Sequence, residues 1–210
     1  PERSTNFEVV LEHYLPADAG VLGFNLYARQ TSDFVERRVA LEGARWVDRP
    51  YNEGDAEHWG AELDAKLNLA KLGVAPGTLK GHLTVPRSRV HDERLGLTRE
   101  ARESPRYQLS LGYERPFGER VTAGFDLQHF AEVKTSIPGE RQERTEDRTV
   151  LDLFAVYRLQ PGLNLRFNAN NLLRVDTCKL ARAHSGANDW QLETCNGNVA
   201  SYMLTLEGSW

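Results

Sequence analysis

Cys178 and Cys195 are the residues most able to make a covalent bond. They sit in one polar segment, where they can close a disulfide, remain free thiols or bind a metal. Only His184 lies between them, a poor set for zinc, which wants four ligands. His13, His58, His82, His91, His129 and His184 are scattered, with no paired ligand spacing. No G-x-S-x-G elbow occurs. A Ser/His/Asp or Ser/His/Asn group meets only in the fold, and nothing marks one here. No metal, cofactor or catalytic residue is therefore expected, and the chain does not read as an enzyme. Arginines are more informative. Arg37, Arg38, Arg45, Arg49, Arg87, Arg89, Arg94 and Arg99 share polar segments with Trp46 and Tyr51, and Trp190 lies in a later one. Guanidinium forks and aromatic faces suit an anionic or aromatic ligand. The same side chains also serve as a solvated surface or as contacts to lipid phosphates. Arg49, Tyr51 and Trp59 are the best candidates for ligand contact, because they gather where a connecting segment enters a strand.

The elements that hold these residues have a period of two. In the last stretch Ala200, Tyr202, Leu204, Leu206, Gly208 and Trp210 share one face, and Ser201, Met203, Thr205, Glu207 and Ser209 share the other. The same alternation runs through Phe7–Leu11, Leu22–Ala28, Trp59–Leu69, Leu79–Val85, Tyr107–Tyr113, Val121–Leu127, Leu151–Tyr157 and Leu163–Ala169. This predicts about nine antiparallel strands of about ten residues each, joined as an up-and-down meander. Its connections alternate. Pro16–Gly20, Gly73–Gly77, Arg115–Glu119 and Gln160–Gly162 are short; Leu41–Glu57, Arg87–Ser104, Lys134–Arg148 and Arg174–Asn198 are long and charged. Alternate connections of a meander lie at opposite ends, so one end has tight turns and the other long segments. Outer-membrane β-barrels have that asymmetry.

Composition agrees. The net charge is −4, with no basic footprint for nucleic acid. Mean hydropathy is −0.54 and no apolar run is long enough for a transmembrane helix. Barrel strands hide apolar residues at alternate positions, so low hydropathy is expected of them. Arg29, Lys66, Lys80, Asp126, Asp152, Arg158, Arg166 and Glu207 fall on polar faces, where a wet lumen would receive them. An envelope location favours the Cys178–Cys195 disulfide among the alternatives for that pair.

Several stretches resemble strands of TonB-dependent outer-membrane receptors. They are Pro1-Glu-Arg-Ser-Thr-Asn-Phe-Glu8, Gly23-Phe-Asn-Leu-Tyr27 with Asp33-Phe-Val-Glu36, Tyr51-Asn-Glu-Gly54 with Trp59-Gly-Ala-Glu-Leu63, and Arg106–Tyr113. Leu163–Leu172 is similar to the family's penultimate strand, which often ends in Asn-Asn-Leu. The order of these stretches carries the resemblance, over most of the chain. It implies that residues 1–210 are one domain, the C-terminal part of a 22-stranded transmembrane barrel, with the plug and the TonB-binding segment elsewhere. It further implies active uptake of a scarce ligand such as a ferric siderophore, energised through TonB. Tyr202, Leu204, Leu206 and Trp210 would face lipid in the strand read by the barrel assembly machinery. The alternative is a complete small barrel acting as a passive pore or adhesin.

Overall fold

A computed structural model describes residues 1–208; Trp210 lies outside the described residues. The strands are β1 (Arg3–Leu15), β2 (Gly20–Glu42), β3 (Arg45–Asn68), β4 (Thr78–Asp92), β5 (Leu97–Arg99), β6 (Gln108–Phe117) and β7 (Val121–Phe130). They continue with β8 (Val133–Ile137), β9 (Arg141–Thr145), β10 (Arg148–Gln160), β11 (Leu163–Asn170), β12 (Thr177–Ser185), β13 (Asn188–Asn196) and β14 (Ser201–Gly208). One sheet follows the path β1-β2-β3-β4-β6-β7-β10-β11-β14, with β5 attached to β4. A second sheet, β13-β12-β9-β8, is made from two hairpins.

All pairings are antiparallel, and their register keeps like faces together. Phe24 pairs Leu63, Leu63 pairs Leu83, and Leu83 pairs Leu109. Leu127 pairs Leu151, and Phe167 pairs Leu204. A slip of one residue would turn these side chains to the other face. On the reverse face Asp64 pairs His82, Lys66 pairs Lys80, Asp126 pairs Asp152, and Asn164 pairs Glu207. The apolar row stays exposed, Phe7 at 67%, Leu63 at 49% and Leu204 at 66%. It is a surface for an apolar solvent rather than half of a closed core.

Two aromatics, Tyr27 and Phe154, interrupt the polar face, and both cover a glycine. A Cβ on Gly60 would meet the Tyr27 hydroxyl at 2.4 Å, and one on Gly124 would meet the Phe154 ring at 2.7 Å. Arg166 stacks over Phe154 at 5.7 Å and donates to Glu207 at 2.9 Å.

The four long connections are corrected by the structure. Leu41–Glu57 is no loop: β2 and β3 continue outward and meet around Gly43. Lys134–Arg148 holds β8 and β9, Arg174–Asn198 holds β12 and β13, and Arg87–Ser104 holds the end of β4 and all of β5. Beyond the apolar band no face needs to be uniformly apolar, so the ladder persists while the period of two disappears from the sequence. Asn52-Glu-Gly54 forms a bulge within β3. The β2–β3 register shifts there, around Phe34 and Gly54, and Asp33 and Gly54 take positive φ of 57° and 112°.

Candidate functional site

The bulge aims a carboxylate inward. Glu53 is buried at 3% exposure, and its carboxylate accepts from Arg38 at 2.7 and 3.1 Å. Nearby Asp92, at the end of β4, has no exposure. Arg99 of β5 joins β4 to β2, donating to Asp92 at 3.0 Å and lying 2.8 Å from Glu36. Arg94 lies 3.9 Å from both Asp92 and Glu53. Glu36, Glu53 and Asp92 are thus met by Arg38, Arg94 and Arg99, a balance that buried charges require.

A second centre forms around Glu143 of β9. It lies 2.6 Å from Arg141, 3.2 Å from Arg102 and 3.3 Å from Lys179 of β12. Arg102 connects the centres, because its backbone N–H donates to Glu36 at 2.6 Å while its guanidinium reaches Glu143. Arg94 makes the other bridge, a forked contact to Glu140. The four-stranded sheet is therefore mounted on the hairpin end of the large sheet by buried charges. Around them only a small apolar cluster forms, from Ala56, Val90 and Ala101 with Phe34 against it.

The carboxyls respond to burial differently. Burial pushes Glu53 upward, and its arginine contacts do not offset that. Burial acts the same way on Asp92, but the Leu95 N–H and Arg99 outweigh it and hold the carboxyl below its ordinary range. Glu143 is also held low, burial being outweighed by Arg141, Lys179 and Arg102.

The mounted sheet carries a cleft of about 530 Å³ lined by Glu140, Arg141, Gln142, Arg182, His184, Asp189 and Trp190. Arg182 and the Trp190 indole offer a donor fork and an aromatic face, while His184 is held by Asp189 and Arg141 by Glu143. Cys178 and Cys195 are cross-strand partners in β12 and β13 and are joined as a disulfide with Cα atoms 4.1 Å apart. The bond crosses the β12–β13 hairpin, one side of the cleft.

Arg49, Tyr51 and Trp59 do not form the expected cluster. All three lie on β3, and ten residues separate the ends, about 33 Å of strand. Arg49 pairs with Glu42 at 3.0 Å on the outer hairpin. Tyr51 lies under the Arg38 guanidinium at 4.5 Å, beside the buried charges. Trp59 belongs to the apolar row, opposite Ala28 and Arg87. The charge centres escaped sequence reading because their members come from five segments. The signal available was the concentration of acids among the loop arginines.

One histidine has partners suggestive of chemistry. His82 Nδ1 lies 2.7 Å from Asp64, and Thr84 Oγ1 lies 2.8 Å from His82 Nε2. All three stand on the polar face of β3 and β4. β4 is bonded on both sides there, so its backbone N–H groups are spent on the ladder and do not form an oxyanion hole.

The profile of the family described as "TonB dependent receptor-like, beta-barrel" matches residues 1–172. No curated protein matches the sequence. Among solved structures, the ferric enterobactin receptor of Pseudomonas aeruginosa is similar at TM-score 0.65 and 16% identity, over 100% of this chain and 31% of that one. The pyoverdine outer-membrane receptor of Pseudomonas aeruginosa PAO1 gives 0.67 and 16%, over 100% and 30%. The ferric-catecholate import receptor of Escherichia coli K12 gives 0.62 and 16%, over 98% and 28%. The chain thus spans about a third of the length of these receptors, and at this identity the likeness is one of fold.

Proposed function

The chain belongs to the TonB-dependent receptor β-barrel family of the outer membrane, and from that premise we propose that it serves uptake of a ferric siderophore, energised through TonB. The long hairpins face the exterior and the tight turns the periplasm. The nine-strand path supplies wall, its apolar row towards lipid and its charged row towards the lumen. β1 is bonded only to β2 and β14 only to β11 among the described strands. In lipid both free edges need partners, so further strands close a 22-stranded barrel that holds a plug. TonB engages a segment outside this sheet. Tyr202, Leu204 and Leu206, all strongly exposed on β14, present the strand to the assembly machinery.

The observation that supports this reading is the outward platform, whose cleft presents Arg182 and Trp190 and which is fixed to the wall by the Arg102–Glu143 and Arg94–Glu140 ion pairs. Arg182 and Trp190 suit a negatively charged chelate with aromatic groups, with Arg141 and His184 held behind them by Glu143 and Asp189. The outer hairpin brings Arg49 and Tyr51 to the same end as further contacts. No step of this function is a chemical transformation. The test is titration of the full-length receptor with ferric enterobactin, ferric pyoverdine and a ferric hydroxamate, followed by tryptophan fluorescence. Saturable binding of at least one, weakened about tenfold by Trp190→Ala, is expected for a stacking contact of ordinary strength. Failure of all three to saturate would contradict the reading.

A further inference from the structure

The apolar row of β4 runs Leu79, Leu83 and Val85, and its ladder to β3 continues without a shift to Asp92. Arg87 and Arg89 therefore project on the same lipid-facing side as Leu83 and Val85, immediately above the apolar band. The alternate residues Ser88, Val90 and Asp92 fill the reverse side and are buried. Arg87 is exposed and donates only to the carbonyls of Pro86 at 2.7 Å and Arg106 at 3.1 Å, with no carboxylate partner among the described residues. Arg89 lies over the Trp59 ring at 5.6 Å and is only 3.6 Å from Glu57, with 61% of its side chain exposed. Along the same face, Tyr107 contacts His129 at 3.1 Å, and His129 contacts Thr149 at 2.9 Å. Aromatics with polar tips beside arginines mark the level of lipid headgroups.

We propose that Arg87 and Arg89, with Trp59 beneath them, dock the phosphate of a phosphorylated outer-leaflet lipid whose acyl chains lie along Leu83, Val85 and Ala61. The guanidinium forks match phosphate geometry, and Arg87 has donors to spare. The anchoring matters as much as the charge. A lipid holds its phosphate at this height for as long as its chains contact the apolar row, whereas a dissolved anion has no such contact. Trp59 is the floor of this site rather than part of the siderophore site. The proposal needs the membrane placement of this face and stands whatever chelate the receptor carries.

The full-length receptor in neutral detergent is offered bis-phosphorylated lipid A or its dephosphorylated form, and retained lipid is counted by native mass spectrometry. The wild-type protein is expected to prefer the phosphorylated lipid, and the double variant R87Q/R89Q to lose about tenfold of that preference. R37Q, which removes one charge on the outer hairpin, should behave as wild type. R87K keeps the charge without the fork, assembles normally and should retain only part of the preference. An unchanged preference in R87Q/R89Q or in R87K, or an equal loss in R37Q, overturns the proposal. So does displacement of the lipid by inorganic phosphate at equal phosphate concentration, which would identify a site for free anions.

Discussion

At the scale of residues, the decisive groups are buried charges rather than apolar side chains. Asp92 is fully buried and held in its charged form by Arg99 and the Leu95 N–H, whereas burial dominates at Glu53 and favours its neutral form. The two carboxyls therefore differ in what neutralisation costs. Asp92→Asn is expected to loosen the platform more than Glu53→Gln, read as faster hydrogen exchange of β8, β9, β12 and β13 amides. Arg99→Ala leaves Glu36 without an ion-pair partner among the described residues and Asp92 with only Arg94 at 3.9 Å, and should cost about 3–5 kcal/mol, the usual penalty for an uncompensated buried charge. The pH dependence has a definite sign. Asp92 and Glu143 are held below their ordinary values, so their contribution is present above the unfolded carboxylate range and is lost as pH falls through the depressed folded values. Glu53 is raised and works in the opposite direction, relieving its own burial in acid. Protection of the platform amides should thus fall in acid, and fall over a narrower range in D92N.

At the scale of elements, register and glycine placement hold the wall together. Gly124 accepts the Phe154 ring against its backbone, and a Cβ there would also meet the Tyr113 carbonyl oxygen at 2.2 Å. Gly124→Ala is expected to destabilise the barrel by about 1–3 kcal/mol through overpacking, seen as a lower thermal midpoint in detergent. The Cys178–Cys195 bond acts elsewhere. Its sequence separation is 17, for which chain entropy gives about 3 kcal/mol. Removing it should speed exchange in β12 and β13 and leave the wall midpoint unchanged. The wall was legible in the sequence because lipid on one side and water on the other impose strict alternation, and Leu63 or Phe125 has only one acceptable face. The platform was not. Its strands have water or ionic partners on either side, so Arg141, Glu143 and Lys179 alternate with nothing recognisable, and β8, β9, β12 and β13 read as loops. Trp59 was legible as an aromatic at a strand entry, but its face was not, for a related reason. An aromatic between charged and apolar segments reads alike as a ligand contact and as a headgroup anchor until register assigns its face.

At the scale of the whole molecule, the large sheet forms a lipid-spanning wall and the four-stranded sheet an outward platform, joined through Arg94 and Arg102. The wall's two free edges and its similarity to about a third of each receptor fit one arc of a larger cylinder. This arrangement predicts sidedness. A tag inserted at Gly43 should be reached by antibody on intact cells, and one at Gly118 only after the outer membrane is permeabilised. Under the proposed function a plug fills the barrel, so uptake needs energy delivered through TonB. The most direct test is accumulation of radioactive iron, supplied as the siderophore complex the receptor binds, in iron-starved cells with and without the full-length gene and with and without TonB. Accumulation that requires both gene and TonB is the predicted result. Accumulation that requires the gene but proceeds equally without TonB, as through a passive pore, would contradict the account.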